Sequence, residues 1–478
     1  MTSSAIPTAM RTTLSPVSLW RSGICVLLVW FAVVDFLRKF LSGTTALLAV
    51  TDVLVLAIYL IFFLRYPGGR SVHRRVGTGL PWPVWVAGAA FAAVVVIQAF
   101  NPFIPALLLG LAGLRTYLFY IPAVLLGRFF LRSEDEVPRL FRFLVWLSIP
   151  LILLAWVQAI IDPSKLAQAL LSMDSNVHSF GTFEFRLIPS TFASSKRFGR
   201  FLVIVYPTLY GLALYLGKGR PMRLGFFLLF LSAAVISGSR DTIMLLILFH
   251  IVLYLLLAPN LLRKAGLLVL IASAAILVWN TVLNFDQTSL TEENYRVRSL
   301  LSSRSDWTQR VRWYLLDPMT ALREQYSASE LLWGTGAGTY GAETGLLGDL
   351  NYARTLGLSR AVGSEGEEGM NTYGVTDAGL SRLVVELGVP GLAAFVAFYS
   401  SLVFALWRRT IAIRRDRRYP LAAALLFVPI AWLTLGAKAH NVLSDGMALF
   451  GVWFVVGILL SLWFRAVSGQ YPAQSVRG

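Results

Sequence analysis

Residues 444–464 read SDGMALFGVWFVVGILLSLWF. After Asp445 the stretch holds no charge, and it is long enough to cross a bilayer, which takes about 20 mostly apolar residues. Its first counterpart, GICVLLVWFAVVDFLRKFL at 23–41, has the same character. Blocks of this kind recur from Trp20 to Phe464 and set the composition of the whole chain. Of 478 residues, 56% are apolar and only 14% charged, against about 25% charged in an ordinary soluble domain. The mean hydropathy is +0.67. These values exclude a soluble globular protein, a disordered one and a protein with a single anchor. The charge is 42 − 25 = +17, but most basic residues punctuate apolar blocks, as in a polytopic membrane protein. Cys25 is the one cysteine, so an intramolecular disulfide is excluded and a cysteine-ligated metal site has no basis.

The pattern predicts an all-α polytopic protein with about twelve spans: 23–41, 44–64, 83–99, 114–131, 140–161, 198–217, 222–238, 241–259, 265–284, 379–406, 420–436 and 444–464. The stretch 103–131 reads as a membrane-surface segment followed by the span at 114–131. The first block is too long to be a cleavable signal, holds Asp35, and runs straight into a second span. Three regions follow: a membrane region 1–284 with about nine helices, a long polar loop 285–378, and a membrane region 379–478 with about three.

Orientation follows from arginine. Arg65, Arg70, Arg74 and Arg75, then Lys218, Arg220 and Arg223, then Arg408, Arg409, Arg414, Arg415, Arg417 and Arg418 lie in alternate short loops or at their edges. Such loops stay in the cytoplasm. Both termini are therefore expected there, and 162–197 and 285–378 face outward. The longer outer segment reverses the overall charge, with eight Lys/Arg against thirteen Asp/Glu. A loop of this length with helical Trp, Tyr and Leu spacing, as in 303–332, is usually functional.

Charges beside spans are expensive and usually face a polar cavity. At the outer ends, FRLIPSTFASSKRFGRF (185–201) carries Arg186, Lys196, Arg197 and Arg200. SGSRD (237–241) carries Arg240, and Arg115 stands at the start of the span at 114–131. Arginines gathered at one mouth suit a phosphate or pyrophosphate, whose oxygens guanidinium binds bidentately. The competing reading is snorkelling to lipid headgroups. It leads for Lys196 and Arg197, is even for Arg186, and trails for Arg240, which sits in a tight turn.

Acid–base candidates are few. His73 lies in a basic loop, His250 in mid-span, and His178 in the first outer loop. His440, in AKAHNVLSD (437–445), is a candidate to take a proton from a hydroxyl near neutral pH, or to cap its loop. Asp377, in NTYGVTDAGLSRL (371–383), is a helix N-cap, a base for an acceptor hydroxyl, or both. Glu386, one to two turns into that span, is expected to pair with an arginine or to line a polar cavity. The sequence has no H-E-x-x-H run and no Walker A motif, so no cofactor or metal is expected.

Four stretches, in chain order, resemble segments of the O-antigen ligase and polymerase superfamily. TDAGLSRLVVELGVPGLAAFVAFY (376–399) resembles its helix-opening motif, through Asp377, Leu380, Glu386, Gly388, Gly391 and Leu392. SGSRDTIMLLIL (237–248) is similar to its small–Gly–Ser/Thr–Arg turn. FRLIPSTFASSKRFGRFL (185–202) resembles its Arg-x-x-Gly-Thr-Phe-x-Asn-Pro segment, with Pro189-Ser190 in place of Gly and Ser194-Ser195 in place of Asn-Pro. LLWGTGAGTYG (331–341) resembles the Gly-x-Gly stretch of its long loop. The resemblance implies a metal-independent, GT-C-like glycosyltransferase of the bacterial inner membrane. It would polymerise or transfer glycan repeats from undecaprenyl pyrophosphate at the outer face, for O-antigen, capsule or exopolysaccharide. By motif position, Arg186 and Arg240 would hold the pyrophosphate; the family's histidine is not carried onto His440, which lies elsewhere in the chain. On charge and acid–base chemistry alone, Arg115, Arg197, Arg200 and Glu386 are further candidate substrate contacts, and Arg240, Asp377 and His440 are the catalytic candidates. Membrane lipid, a chain-length regulator and other assembly proteins are the partners in view, and nucleic acid is not. Ligases open the 376–380 segment with a His-Asn pair, whereas this chain has Thr376-Asp377, which favours polymerase over ligase. The rival of another class is a transporter or lipid-glycan flippase. Against it, hydropathy shows no two-fold repeat and the long loop sits off-centre.

Overall fold

Long apolar runs give long helices, because a chain in lipid must satisfy its backbone internally. The computed structural model describes residues 16–40, 46–65, 80–102, 104, 107–131, 133–160, 177–180, 183–186, 188–258, 266, 332–339, 379–438 and 442–468. The helices are α1 (Pro16–Phe40), α2 (Ala46–Arg65), α3 (Trp82–Ala99), α4 (Leu107–Leu118), α5 (Ala123–Phe130), α6 (Glu136–Ile160), α7 (Ser195–Tyr215), α8 (Arg220–Ser237), α9 (Arg240–Leu257), α10 (Gly379–Ala412), α11 (Tyr419–Lys438) and α12 (Gly446–Ser468). Among the described residues, nine helical stretches are long and apolar enough to cross a membrane. Two shorter apolar helices, Ala49–Leu64 and Asp241–Leu257, join them. The protein is thus a helical, multi-pass membrane protein. The expected span 265–284 and most of the loop 285–378 lie outside the described residues.

The chain divides into two units, Met1–Gly77 and Thr78–Gly478. In the first, α1 and α2 form a hairpin. Trp20 meets Phe62 edge to face at 5.2 Å, and Trp30 Nε1 donates to Thr51 Oγ1 at 2.9 Å.

In the second unit, the helices sort by how much apolar surface they hide. α7, α11 and α12 are buried over 78%, 67% and 78% of their crossing stretches, against 28% for α3 and α8. Helices hidden all round form the core, and the others leave a broad apolar face outward. Glycine sets the closest contacts. A Cβ on Gly127 of α5 would overlap the Phe454 carbonyl of α12, and one on Gly457 would overlap the Val124 carbonyl. Small residues let helix backbones approach in this way.

One boundary shifts and one small element is added. The crossing stretch in 103–131 runs Leu107–Phe130, so it covers the expected span 114–131 but begins seven residues earlier. It forms α4 and α5, separated by the turn 119–122 just before α5, so Arg115 lies in the last turn of α4. Pro122, which cannot continue the hydrogen-bond ladder, ends that turn. The membrane helices bear out the all-α expectation, and one short two-stranded element is added between α6 and α7. Residues 162–197 include a β-hairpin, β1 (Val177–Phe180) and β2 (Phe183–Arg186), in which Val177 pairs with Arg186 and His178 with Phe185.

Candidate functional site

The site is built around a break in α10. Gly388 has φ 70° and ψ −176° inside that helix, and Pro390 follows. Only glycine adopts such angles without strain. Pro390 has no N–H to return to the Glu386 carbonyl, and the turn at Gly388 diverts the ladder from Val385. Two carbonyls are left without helical donors, which is costly away from water. The strap 332–339 supplies replacements. Thr335 N–H donates to Val385 O at 2.7 Å and Gly336 N–H to Glu386 O at 3.1 Å. The Thr335 hydroxyl adds a bond to Val385 O at 3.0 Å.

The strap fits because every second residue from 334 to 338 is glycine. Gly334, Gly336 and Gly338 take φ of 82°, 108° and 88°. A Cβ on Gly338 would overlap the Leu109 carbonyl of α4. The other edge of the strap is held by the end of α3. Gln98 Nε2 donates to the Trp333 carbonyl, Asn101 Nδ2 donates to Gly334 O at 3.3 Å, and Ala337 N–H donates to Gln98 O at 3.0 Å.

Beside the strap, Arg382 and Glu386 are both wholly buried. Arg382 Nε lies 3.1 Å from Glu386 Oε1. The Tyr117 hydroxyl donates to Glu386 Oε2 at 2.7 Å, and the Arg382 guanidinium lies over the Tyr117 ring at 5.7 Å. A buried ion pair is tolerated when further hydrogen bonds satisfy it, and Tyr117 provides one. Of the two roles expected for Glu386, the structure shows the pairing with an arginine, and Arg382 is the partner.

A second ion pair joins α7 to α12. Arg200 Nη1 lies 2.8 Å from Asp445 Oδ2, and Arg197 Nε lies 3.7 Å from the same oxygen. Asp445 also caps α12, accepting from Ala448 N–H at 3.4 Å. Burial raises the energy of its charged form. The two arginine charges, the Arg200 hydrogen bond and the Ala448 N–H more than offset this and hold the carboxyl below its ordinary range. Arg115 Nη2 donates to Tyr120 Oη at 3.2 Å.

These pieces meet at one end of the helices. A Cβ on Gly199 would strike Thr242 Oγ1 and Ser239 Oγ, so the start of α7 packs on the Ser237–Asp241 turn. Arg200, next to Gly199, holds Asp445. A Cβ on Gly446 would overlap Tyr120 Oη, and one on Gly113 would meet Ala337 of the strap at 2.5–2.6 Å. Hence the start of α7, the Ser237–Asp241 turn, the strap and the opening of α10 are linked by one chain of contacts, although they lie far apart along the sequence.

Among the expected site residues, Arg115, Arg197, Arg200 and Glu386 fall in this cluster. The Arg186 backbone ends β2 and the Arg240 backbone opens α9. Asp377 and His440 lie outside the described residues. Tyr117, Arg382, Gln98 and Asp445 were not singled out in the sequence. Two signals were available. Arg382 and Glu386 are spaced i, i+4 on one helix face, and Asp445 stands just before an apolar run, where an N-cap belongs. Among the described residues, no group of three or more His, Cys, Asp or Glu is placed to hold a metal ion.

No protein-family model matches this chain, and no curated protein is significantly similar to it.

Proposed function

We propose that the chain is a membrane glycosyltransferase of the O-antigen ligase and polymerase type, acting as the polymerase. In this reading it has about twelve spans in a GT-C-like arrangement, lies in the bacterial inner membrane, and keeps both termini in the cytoplasm. Its substrate is an oligosaccharide repeat on undecaprenyl pyrophosphate, used at the outer face. The observation that carries the reading is the contact chain above: the four family-like stretches, distant in sequence, gather at one end of the helices with basic side chains among them.

In the reaction, a hydroxyl of the acceptor glycan attacks the anomeric carbon of the donor sugar. The bond from that carbon to the pyrophosphate oxygen breaks, and undecaprenyl pyrophosphate leaves. The hydroxyl proton passes to Asp377 or His440, a step of the kind worth roughly 10²–10⁴ in rate. Fixed guanidinium groups stabilise the departing charge, and removing one such donor commonly costs about 10²–10³. Because Arg200 is committed to Asp445, the reading gives the pyrophosphate to Arg186 and Arg240, with Arg200 and Arg197 shaping the mouth.

The test is complementation of a polymerase-deficient host, with surface glycan resolved by gel and the protein quantified in membranes. Wild type is expected to restore a long-chain ladder. Arg240→Ala and Arg186→Ala are expected to leave single repeats at normal protein level. Wild-type ladders from Arg186→Ala, Arg240→Ala and Asp377→Ala alike would sink the mechanism.

A further inference from the structure

A second polar cluster lies within the membrane, where α7, α8 and α9 meet. The Tyr206 hydroxyl of α7 is 2.5 Å from Nε2 of His250 on α9. Tyr206 is wholly buried, and a buried hydroxyl is costly unless it donates. Nε2 is the acceptor it reaches. That assigns the neutral tautomer in which Nδ1 of His250 carries the proton. Nδ1–H is then a donor, and among the described residues it has no acceptor. Rings surround the imidazole. Tyr210 meets it edge to face at 4.9 Å, and Phe227 of α8 does so at 4.7 Å. Tyr210, Phe227 and His250 are each partly exposed, so they form one patch facing lipid. The Tyr210 hydroxyl is likewise without a hydrogen-bond partner among the described residues.

The patch lies near the end of the helices where α7 finishes and α8 begins. Tyr210, Phe227 and His250 stand five, seven and seven residues from Tyr215, Arg220 and Leu257, which is about 7–11 Å inward at the helical rise. One turn from Phe227 toward that end is Arg223, on the same face of α8 at i, i+4 spacing. Its Nε is buried without a hydrogen-bond partner, and among the described residues no carboxylate pairs with it. The connection between α7 and α8 adds Lys218 and no acid. The column thus runs from a guanidinium at the rim to a hydroxyl and an imidazole N–H deeper in, and each of these is a donor. The molecule that matches offers acceptors alone: a charged one at the membrane edge, neutral ones deeper, and apolar chains beyond. A diacyl phospholipid has that order, with phosphate, ester carbonyls and acyl chains. Guanidinium binds phosphate oxygens in pairs, and basic pockets between spanning helices bind anionic headgroups. A polyprenyl phosphate has no ester carbonyl and would leave Tyr210 and His250 unanswered. An ionisable group at membrane depth marks a functional site by default, and here the partner follows from the donors.

We propose that Arg223, Tyr210, Phe227 and His250 form a binding site for one anionic diacyl phospholipid, with its phosphate on Arg223 and its ester carbonyls on Tyr210 and His250. The site is separate from the glycosyl-transfer proposal and stands without it.

The full chain, purified in detergent, is titrated with phosphatidylglycerol, with phosphatidylcholine and with undecaprenyl phosphate, and bound lipid is counted by native mass spectrometry. Wild type is expected to retain phosphatidylglycerol most strongly. Loss of one charge-assisted contact in Arg223→Gln is expected to weaken phosphatidylglycerol binding about tenfold. Tyr210→Phe keeps the ring and removes only the hydroxyl. It is expected to weaken phosphatidylglycerol about threefold and to leave undecaprenyl phosphate unchanged. It also answers the question if Arg223→Gln does not accumulate. Arg408→Gln, whose guanidinium lies over the exposed Phe404, is expected to bind as wild type does. The proposal is overturned if wild type holds phosphatidylglycerol and phosphatidylcholine equally, or if Arg223→Gln or Tyr210→Phe binds phosphatidylglycerol normally. It is overturned too if Arg408→Gln weakens binding as much as Arg223→Gln. Undecaprenyl phosphate held as tightly as phosphatidylglycerol overturns the diacyl assignment.

Discussion

The Tyr117 hydroxyl lies 2.7 Å from Glu386 Oε2, and that single bond ties α4 to the opening of α10. The carboxylate it reaches already holds Arg382 on its other oxygen. Removing the hydroxyl leaves a buried charged acceptor one donor short. Tyr117→Phe is therefore expected to lower stability by about 1–3 kcal/mol, read as an earlier melting transition in detergent.

Breaking the ion pair from one side should do more. Arg382→Met or Glu386→Gln alone strands a wholly buried partner, and for Arg382→Met a loss of about 3–5 kcal/mol is expected. The double variant Arg382→Met/Glu386→Met replaces both charges with apolar volume and is expected to recover much of that loss. A double-mutant cycle by thermal melting checks it, and additive losses would contradict the coupling.

Asp445 carries a pH signature. Its folded pKa lies below its ordinary value, so ionised Asp445 contributes its full stabilisation above about pH 4. That contribution disappears as pH falls through the depressed folded value. Asp445→Asn is expected to be less stable than wild type at neutral pH, with the gap closing in acid. Melting curves from pH 7 down to about 3 measure it, and a gap constant with pH would refute the assignment.

At Gly199 the prediction is functional. A side chain there collides with Ser239 and Thr242, pushing the start of α7 away from the turn that leads into Arg240. Gly199→Val is expected to abolish long-chain glycan in the complementation assay. Membrane level separates that outcome from loss of the protein.

The strap gives the fourth structural test. Gly388→Ala meets both a glycine-only conformation and the Leu332 carbonyl. The backbone strain alone is about 1–3 kcal/mol. Gly225→Ala, where nothing lies within 4 Å of an added Cβ, is expected to melt as wild type does.

Much of the fold was legible because lipid imposes one rule on every apolar block. The blocks at 83–99, 140–161, 198–217 and 420–436 each became a helix within a few residues of the expected ends. The span expected at 114–131 lies within the crossing stretch Leu107–Phe130 but starts late, because the apolar content there is continuous and hydropathy does not register the break before Ala123. The pairing of Glu386 with an arginine followed from the cost of an intramembrane carboxylate. Its second partner did not, since Tyr117 is 269 positions away and nothing local marks it. The role of Gly334, Gly336 and Gly338 was equally hidden. Glycine in a loop indicates freedom, and only the carbonyls released at Gly388 show why these three are held.

The strap also bears on how the protein is made. Residues 335 and 336 leave the ribosome before Val385 and Glu386, and 39 positions, 340–378, separate the strap from the helix it repairs. The first turns of α10 have unanswered carbonyls until that earlier segment comes back to them. Insertion of the C-terminal membrane region and docking of the strap are thus one coupled event in biogenesis. A chain interrupted between the two would present quality-control proteases with an unfinished helix, not a stable fragment.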